Sequence, residues 1–264
     1  MKIGIIGLGN MAGAVIGGML KEGIVGSGDI IGSAATQATT DRVGSQYGIR
    51  TTLDNKEVAE AAEILILAVK PQFLPDVIGE IREIVKEETL VVTIAAGKTI
   101  GWYEEAFGRK IRLVRCMPNT PAMVGAGFTA VCPSENVTEA EMDCVLRLMG
   151  SFGRTCVIRE ALMDAFSAVA GCSPAFVFLF IEAMSDAGVA AGIPRAQAYE
   201  AAAQAVMGSA KLMLETGKHP GELKDMVCSP GGTTIQGVKT LEECGMRGAV
   251  MDAVGACVDR AKKL

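Results

Sequence analysis

Residues 7–12 read GLGNMA, directly after the apolar run IGII (Ile3–Ile6) and leading into a helical pattern over residues 11–21. Each small residue has a physical reason if this block is a strand, a tight turn and a helix start. Gly7 permits the turn, Gly9 lets backbone approach a pyrophosphate, and Ala12 is small enough for the helix to pack on the strand. Free N–H groups of Asn10, Met11 and their neighbours at the helix start then face the negative charge. A glycine pattern alone is weak, and its alternative is a structural turn. Placed between strand and helix, it reads as a dinucleotide fingerprint.

Through residue 159, short β-branched runs alternate with amphipathic stretches, the rhythm of βαβ units and a parallel sheet. Strands are predicted at 3–6, 30–33, 64–68, 90–94, 111–116, 128–132 and 155–158, and helices at 11–21, 56–62, 75–85, 100–107 and 139–149. The run ILILA at 64–68 is apolar throughout, as a strand covered on both faces must be. After Arg159 the strand rhythm stops, and Ala, Met, Leu and Glu at helical spacing continue to the C-terminus. The chain therefore reads as α/β, with a dinucleotide-binding domain over 1–159 and an all-α domain over 160–264. In the second part Pro174 opens a helix that Gly192 closes, Pro194 opens the next, and Gly217 follows its end. Residues 175–181 (AFVFLFI) are apolar all round but too short to cross a bilayer, and predict burial against another copy of the chain.

Composition narrows the partners. A net charge of −5, 5% aromatic residues and no basic run argue against nucleic acid, whose phosphates demand a basic surface. The eight cysteines are scattered without a CxxC pair and read as reduced thiols. One histidine, His219, builds neither a zinc site nor a hydrolytic triad, so no metal is expected. It precedes Pro220 and reads as a helix-start residue. The chain opens on an apolar strand rather than a leader, which suits a cytoplasmic protein with no membrane partner.

Cofactor choice is read at the end of the second strand, where an NAD enzyme places a carboxylate on the ribose hydroxyls. Here the residues are Gly32, Ser33, Ala34, Ala35 and Thr36. Without that carboxylate, and with Ser33 and Thr36 as hydrogen-bond donors, NADPH is favoured and NADH remains possible. Two later strand ends, VKPQ at 69–72 and IAAG at 94–97, read either as backbone approaches to a nicotinamide or as ordinary turns. In the C-terminal half, Ser229, Pro230, Gly231 and Gly232 precede a helical pattern from Thr233 to about Cys244. Such a helix start attracts a carboxylate; the plainer alternative is a simple cap, Ser229 followed by Pro230 at the first helical position.

In order, GLGNMA (7–12), ILAVKPQ (66–72), IAAG (94–97), RCMPNTPA (115–122), GCSPAF (171–176) and HPGELKDMVCSPGGTTIQG (219–237) resemble pyrroline-5-carboxylate reductases along nearly the whole chain. The resemblance implies a Rossmann-like domain followed by an all-α dimerisation domain, and reduction of 1-pyrroline-5-carboxylate to L-proline with NAD(P)H. It implies that Thr234 bonds the ring nitrogen as the catalytic residue, while Ser229, Gly231, Gly232 and Thr233 hold the substrate carboxylate. Asn55, Ala68, Val69, Lys70, Pro71, Ala95 and Ala96 would line the cofactor site with Gly7, Gly9, Asn10, Met11, Ala12 and Ser33. The site would form between the first domain of one subunit and the helical domain of another, in a homodimer or larger homo-oligomer. Cys172 and Met226 depart from the family pattern, which bears on the pocket lining.

A ring imine accepts hydride best when its nitrogen is protonated, and the cofactor carries the hard chemistry. A β-hydroxyacid reductase is the nearest rival, but its lysine acid has no matching motif at Lys211 or Lys224. A redox-sensing regulator with the same dinucleotide domain is the rival without catalysis.

Overall fold

The computed structural model describes residues 1–262. The chain divides into two units, Met1–Gly171 joined by the residues from Val258, and Cys172–Cys257.

The first unit is built on one sheet. Its elements run β1 (Ile3–Ile6), α1 (Asn10–Lys21), β2 (Ile30–Ser33), α2 (Gln37–Tyr47), β3 (Arg50–Thr52), α3 (Asn55–Ala61), β4 (Ile64–Leu67), α4 (Leu74–Ile81), β5 (Leu90–Thr93), α5 (Ile100–Phe107), β6 (Arg112–Met117), β7 (Gly127–Pro133), α6 (Glu139–Gly150), β8 (Gly153–Val157) and α7 (Met163–Phe166). The strand order is β3-β2-β1-β4-β5-β6-β7-β8. Alternate side chains of the central strands enter opposite cores, which explains their unbroken apolar runs. Ile64 and Ile66 join Ile3, Ile5 and the α1 and α6 residues Ile16 and Leu148. Leu65 and Leu67 join Val58 of α3, Ile78 of α4 and Phe107 of α5 on the other face.

Two local differences from the sequence prediction have physical causes. β7 pairs antiparallel to β6, with Val114 opposite Pro133 and Met117 opposite Ala130. The link between them holds only a short 3-10 helix, Thr120–Val124, and a parallel return needs a longer crossover. The second difference is the pair α2 and β3, which no apolar period announces. Only Thr40 and Val43 of α2 are buried, and β3 reads RTT.

Past β8 the helical stretch Glu160–Ala190 contains the unit boundary at Gly171, and a π-turn spans Ser167–Cys172 within it. Met163 belongs with the first unit because it buries against Ala130 and Cys132 of β7. The second unit holds α8 (Ser173–Ala190), α9 (Arg195–Thr216), α10 (Pro220–Val227), α11 (Thr233–Glu243) and most of α12 (Met246–Ala261). Small residues let α8 and α9 approach closely: Ser185 is fully buried and bonds Ile181 O at 2.7 Å and Ala198 O at 3.3 Å. Among the described residues the apolar run 175–181 has no buried member; Phe178 is 65% and Leu179 70% exposed. By length and composition, Glu160–Ala190 is also apolar enough to cross a membrane.

Candidate active site

In a sheet of this order the chain reverses direction across one crevice, and ligands bind beyond the strand ends there. The crevice lies between β1 and β4. Main-chain bonds carry the ladder past the strand ends. Gly7 N–H donates to Ser33 O at 2.9 Å, Ala68 N–H to Ile6 O at 2.8 Å and Ile94 N–H to Leu67 O at 3.1 Å. Four segments remote in sequence are thereby set side by side: the glycine turn, Ser33–Thr36, Ala68–Pro71 and the turn containing Ala95 and Ala96.

Gly7 and Gly9 play opposite parts. Gly7 has φ +99°, and a Cβ there would stand 2.8 Å from Val69 Cγ1 and 2.9 Å from the Ala68 carbonyl. Gly9 is exposed, and a Cβ built on it meets nothing within 4 Å. Gly9 also caps α1 with extended backbone, no side chain closes that helix start, and its first turn holds no acidic residue. The N–H groups of Asn10, Met11 and Ala12 therefore lack competing acceptors, and the residues present fit a dinucleotide pyrophosphate. Ala12 is buried, as close helix packing requires.

Lys70, exposed and extended before Pro71, precedes a single 3-10 turn. Under the last turn, Ala95 N–H donates to Thr93 Oγ1 at 3.3 Å, and that oxygen lies 2.5 Å from the Tyr103 hydroxyl. Burial pushes the Tyr103 phenol up to about 12, so it stays protonated as a structural support. RCMPNTPA is a joint of the same kind. Arg115 pairs with Glu160, whose carboxylate also accepts from Ile100 N–H at 2.7 Å. Asn119 accepts from Phe128 N–H and donates to Ala170 O, both at 2.9 Å.

At the end of β2 both hydroxyls expected to act as donors make hydrogen bonds within the chain. Ser33 is fully buried and donates to Asn55 Oδ1 at 2.7 Å. Thr36 caps α2, accepting from Thr39 N–H. Asn55 in turn donates through Nδ2 to Glu80 Oε2 at 2.7 Å. Glu80 carries no motif and lies on α4, and no sequence signal links it to Asn55. Arg42 borders a groove of about 290 Å³ with Gly9, Asn10 and Tyr47.

In the second unit, residues 229–232 form a tight turn that Gly232 N–H closes on Ser229 O at 3.0 Å. Gly231, at φ +69°, occupies the left-handed position that follows proline in a type II turn. The simple cap by Ser229 and Pro230 is thus overturned: Gly232 caps α11, with no side-chain bond, and Pro230 stays in the turn. Gly232 N–H is engaged, leaving those of Thr233 and Thr234 at the helix start. The hydroxyls of Ser229, Thr233 and Thr234 are exposed and make no hydrogen bond among the described residues. Together they offer a carboxylate site with hydroxyls on its rim. His219 caps α10, its Nδ1 accepting from Gly221 N–H at 3.1 Å, as a helix-start residue should. Cys172 lies against Cys257, and burial pushes its thiol up.

Comparison with known proteins gives two family matches: pyrroline-5-carboxylate reductase dimerisation over residues 160–264, and NADP oxidoreductase, coenzyme F420-dependent, over residues 2–97. The chain is 48% identical over 263 residues to a pyrroline-5-carboxylate reductase of Escherichia coli K12, covering 100% of this chain and 98% of that protein. A Methanosarcina acetivorans relative of the same description is 43% identical over 263 residues, covering 100% of this chain and 97% of its own. Among solved structures, a pyrroline-5-carboxylate reductase from Coxiella burnetii superposes with TM-score 0.92 at 33% identity, covering 99% and 97% of the two chains. A Plasmodium falciparum pyrroline carboxylate reductase with NADP bound gives 0.90 at 31%, covering 100% and 97%.

Proposed function

The chain belongs to the pyrroline-5-carboxylate reductase family, and from that premise we propose that it reduces 1-pyrroline-5-carboxylate to L-proline with NAD(P)H, closing proline biosynthesis. The observation that carries this reading is the start of α11, closed by no side-chain cap, where free N–H groups and the hydroxyls of Ser229, Thr233 and Thr234 meet. The N–H groups of Thr233 and Thr234, with the Ser229 hydroxyl, hold the substrate carboxylate. Gly231 and Gly232 shape the turn that presents them.

Thr234 Oγ1 accepts a hydrogen bond from the protonated ring nitrogen and keeps it as the iminium becomes an amine. Positive charge on that nitrogen makes the imine carbon electrophilic. A bound NAD(P)H supplies the hydride. The first turn of α1, from Asn10 to Ala12, binds the pyrophosphate beside Gly9. Ala68–Pro71 and Ala95–Ala96 shape the nicotinamide end, and Asn55, held by Ser33, reaches the ribose. NADPH is preferred, because residues 33–36 place no carboxylate at the end of β2.

The protein acts as a homo-oligomer in the cytoplasm, with the site completed by the helical unit of a second copy. The exposed run Val177, Phe178, Leu179 and Phe180 supports burial of α8 against that copy. The test is oxidation of NADPH followed by absorbance, with 1-pyrroline-5-carboxylate added last and the assay repeated with NADH. Substrate-dependent oxidation, faster with NADPH, is expected; equal rates without substrate would refute it.

A further inference from the structure

An asparagine side chain has two amide hydrogens and two carbonyl lone pairs. In Asn55 one lone pair takes the Ser33 hydroxyl and one hydrogen goes to Glu80, each at 2.7 Å. The two ends of an amide have nearly the same shape, so neighbours decide which faces where. A donor on one side and a carboxylate on the other settle that choice here. One hydrogen and one lone pair are left for another group. Ser33 is the last residue of β2, the strand end at which a dinucleotide ribose is read.

This arrangement differs from the usual one in an instructive way. The carboxylate that NAD enzymes place directly at the end of β2 is absent, and a carboxylate from α4 stands one side chain behind it instead. A ribose 2′-hydroxyl both donates and accepts, so it satisfies both remaining sites on Asn55. A 2′-phosphate accepts only; it satisfies the hydrogen, confronts the lone pair and lies near the charge of Glu80.

We propose that Glu80 is a positioning and cofactor-selecting residue, which orients Asn55 and tempers the preference for a 2′-phosphate. The proposal rests on Asn55 touching the cofactor's ribose. Because Glu80 is exposed, its charge is screened and its effect is modest.

The full chain, without substrate, is titrated calorimetrically with NADP⁺ and with NAD⁺. Glu80→Gln keeps an acceptor for the Asn55 amide and removes the charge. It tightens NADP⁺ on the order of 3- to 10-fold at low ionic strength, and the gain shrinks as salt is raised. Affinity for NAD⁺ stays as it was. Glu80→Ala frees the amide as well and weakens NAD⁺, a loss that Gln at the same position rescues. Asn55→Ala weakens both nucleotides. If Asn55→Ala weakens both while Glu80→Gln and Glu80→Ala bind as the parent does, Glu80 has no such role and the Asn55 contact survives. If Asn55→Ala changes neither affinity, the ribose contact fails and the role of Glu80 falls with it.

Discussion

A methyl group on Gly7 would stand 2.8 Å from Val69 Cγ1, so the first glycine turn and the end of β4 are built as one surface. Gly7→Ala brings two penalties, the overlap and a left-handed backbone worth about 1–2 kcal/mol. We expect nucleotide affinity to fall roughly 10- to 100-fold, with a lower melting temperature. Val69→Ala in the same chain relieves the contact with Val69 Cγ1 but leaves the overlap with the Ala68 carbonyl and the backbone strain, so it restores only a small part of the loss. Unchanged affinity in the single variant would separate the two turns.

Thr234 is the one side chain assigned to the reacting nitrogen. Thr234→Ala should lower kcat roughly 10- to 100-fold, the effect of one charge-assisted hydrogen bond of about 1.5–3 kcal/mol. Affinity for the nucleotide should not move. Thr234→Ser keeps the hydroxyl and should keep most of the turnover. Steady-state kinetics of the two variants side by side check the role, and equal kcat in Thr234→Ala removes it.

Phe178 and Leu179 face outward on α8 at 65% and 70% exposure, too much apolar surface for one helix to leave in water. Glutamate at both positions should leave the chain folded and shift it toward monomer in sedimentation, with activity lost in parallel. A fully active monomer would detach catalysis from assembly.

Alkaline pH should loosen the first unit in a defined window. Burial, and secondarily the neighbouring Cys132, pushes the Cys116 thiol up from its ordinary 9.0, and burial raises Tyr103 from 10.0 to about 12. In the unfolded chain both groups lose protons that the folded chain retains. Stability is therefore full below pH 9 and is lost as pH rises toward 12. Melting temperatures across this range test the point, and Cys116→Ala should flatten the early part of the decline.

Much of this molecule was legible before any coordinates. Strands 3–6 and 30–33 and helix 100–107 stand where apolar period and turn chemistry put them, because burial on both sheet faces leaves a strong signal. β3 was invisible because Arg50, Thr51 and Thr52 contribute main chain to the sheet edge and little apolar surface. The antiparallel β7 depends on the length of one connection, which alternation does not encode. At the site, glycine spacing revealed the turn at Gly7, where a positive φ favours glycine, whereas the turn at Gly231 was hidden behind a segment that reads only as a helix start. The fate of hydroxyls was not readable. Ser33 and Thr36 are donors by type, and only packing shows one buried against Asn55 and the other used as a helix cap. Glu80 was missed for the same reason, since its partner is 25 residues away.

In the proposed reaction hydride passes to the imine carbon of a ring whose carboxylate and nitrogen are held at residues 229–234. NADPH carrying deuterium at its transferable position, incubated with the protein and 1-pyrroline-5-carboxylate, tests it most directly by mass spectrometry and NMR of the product. The expected product is proline with deuterium on the ring carbon formerly double-bonded to nitrogen. Proline without label, or label beside the carboxylate, would contradict it.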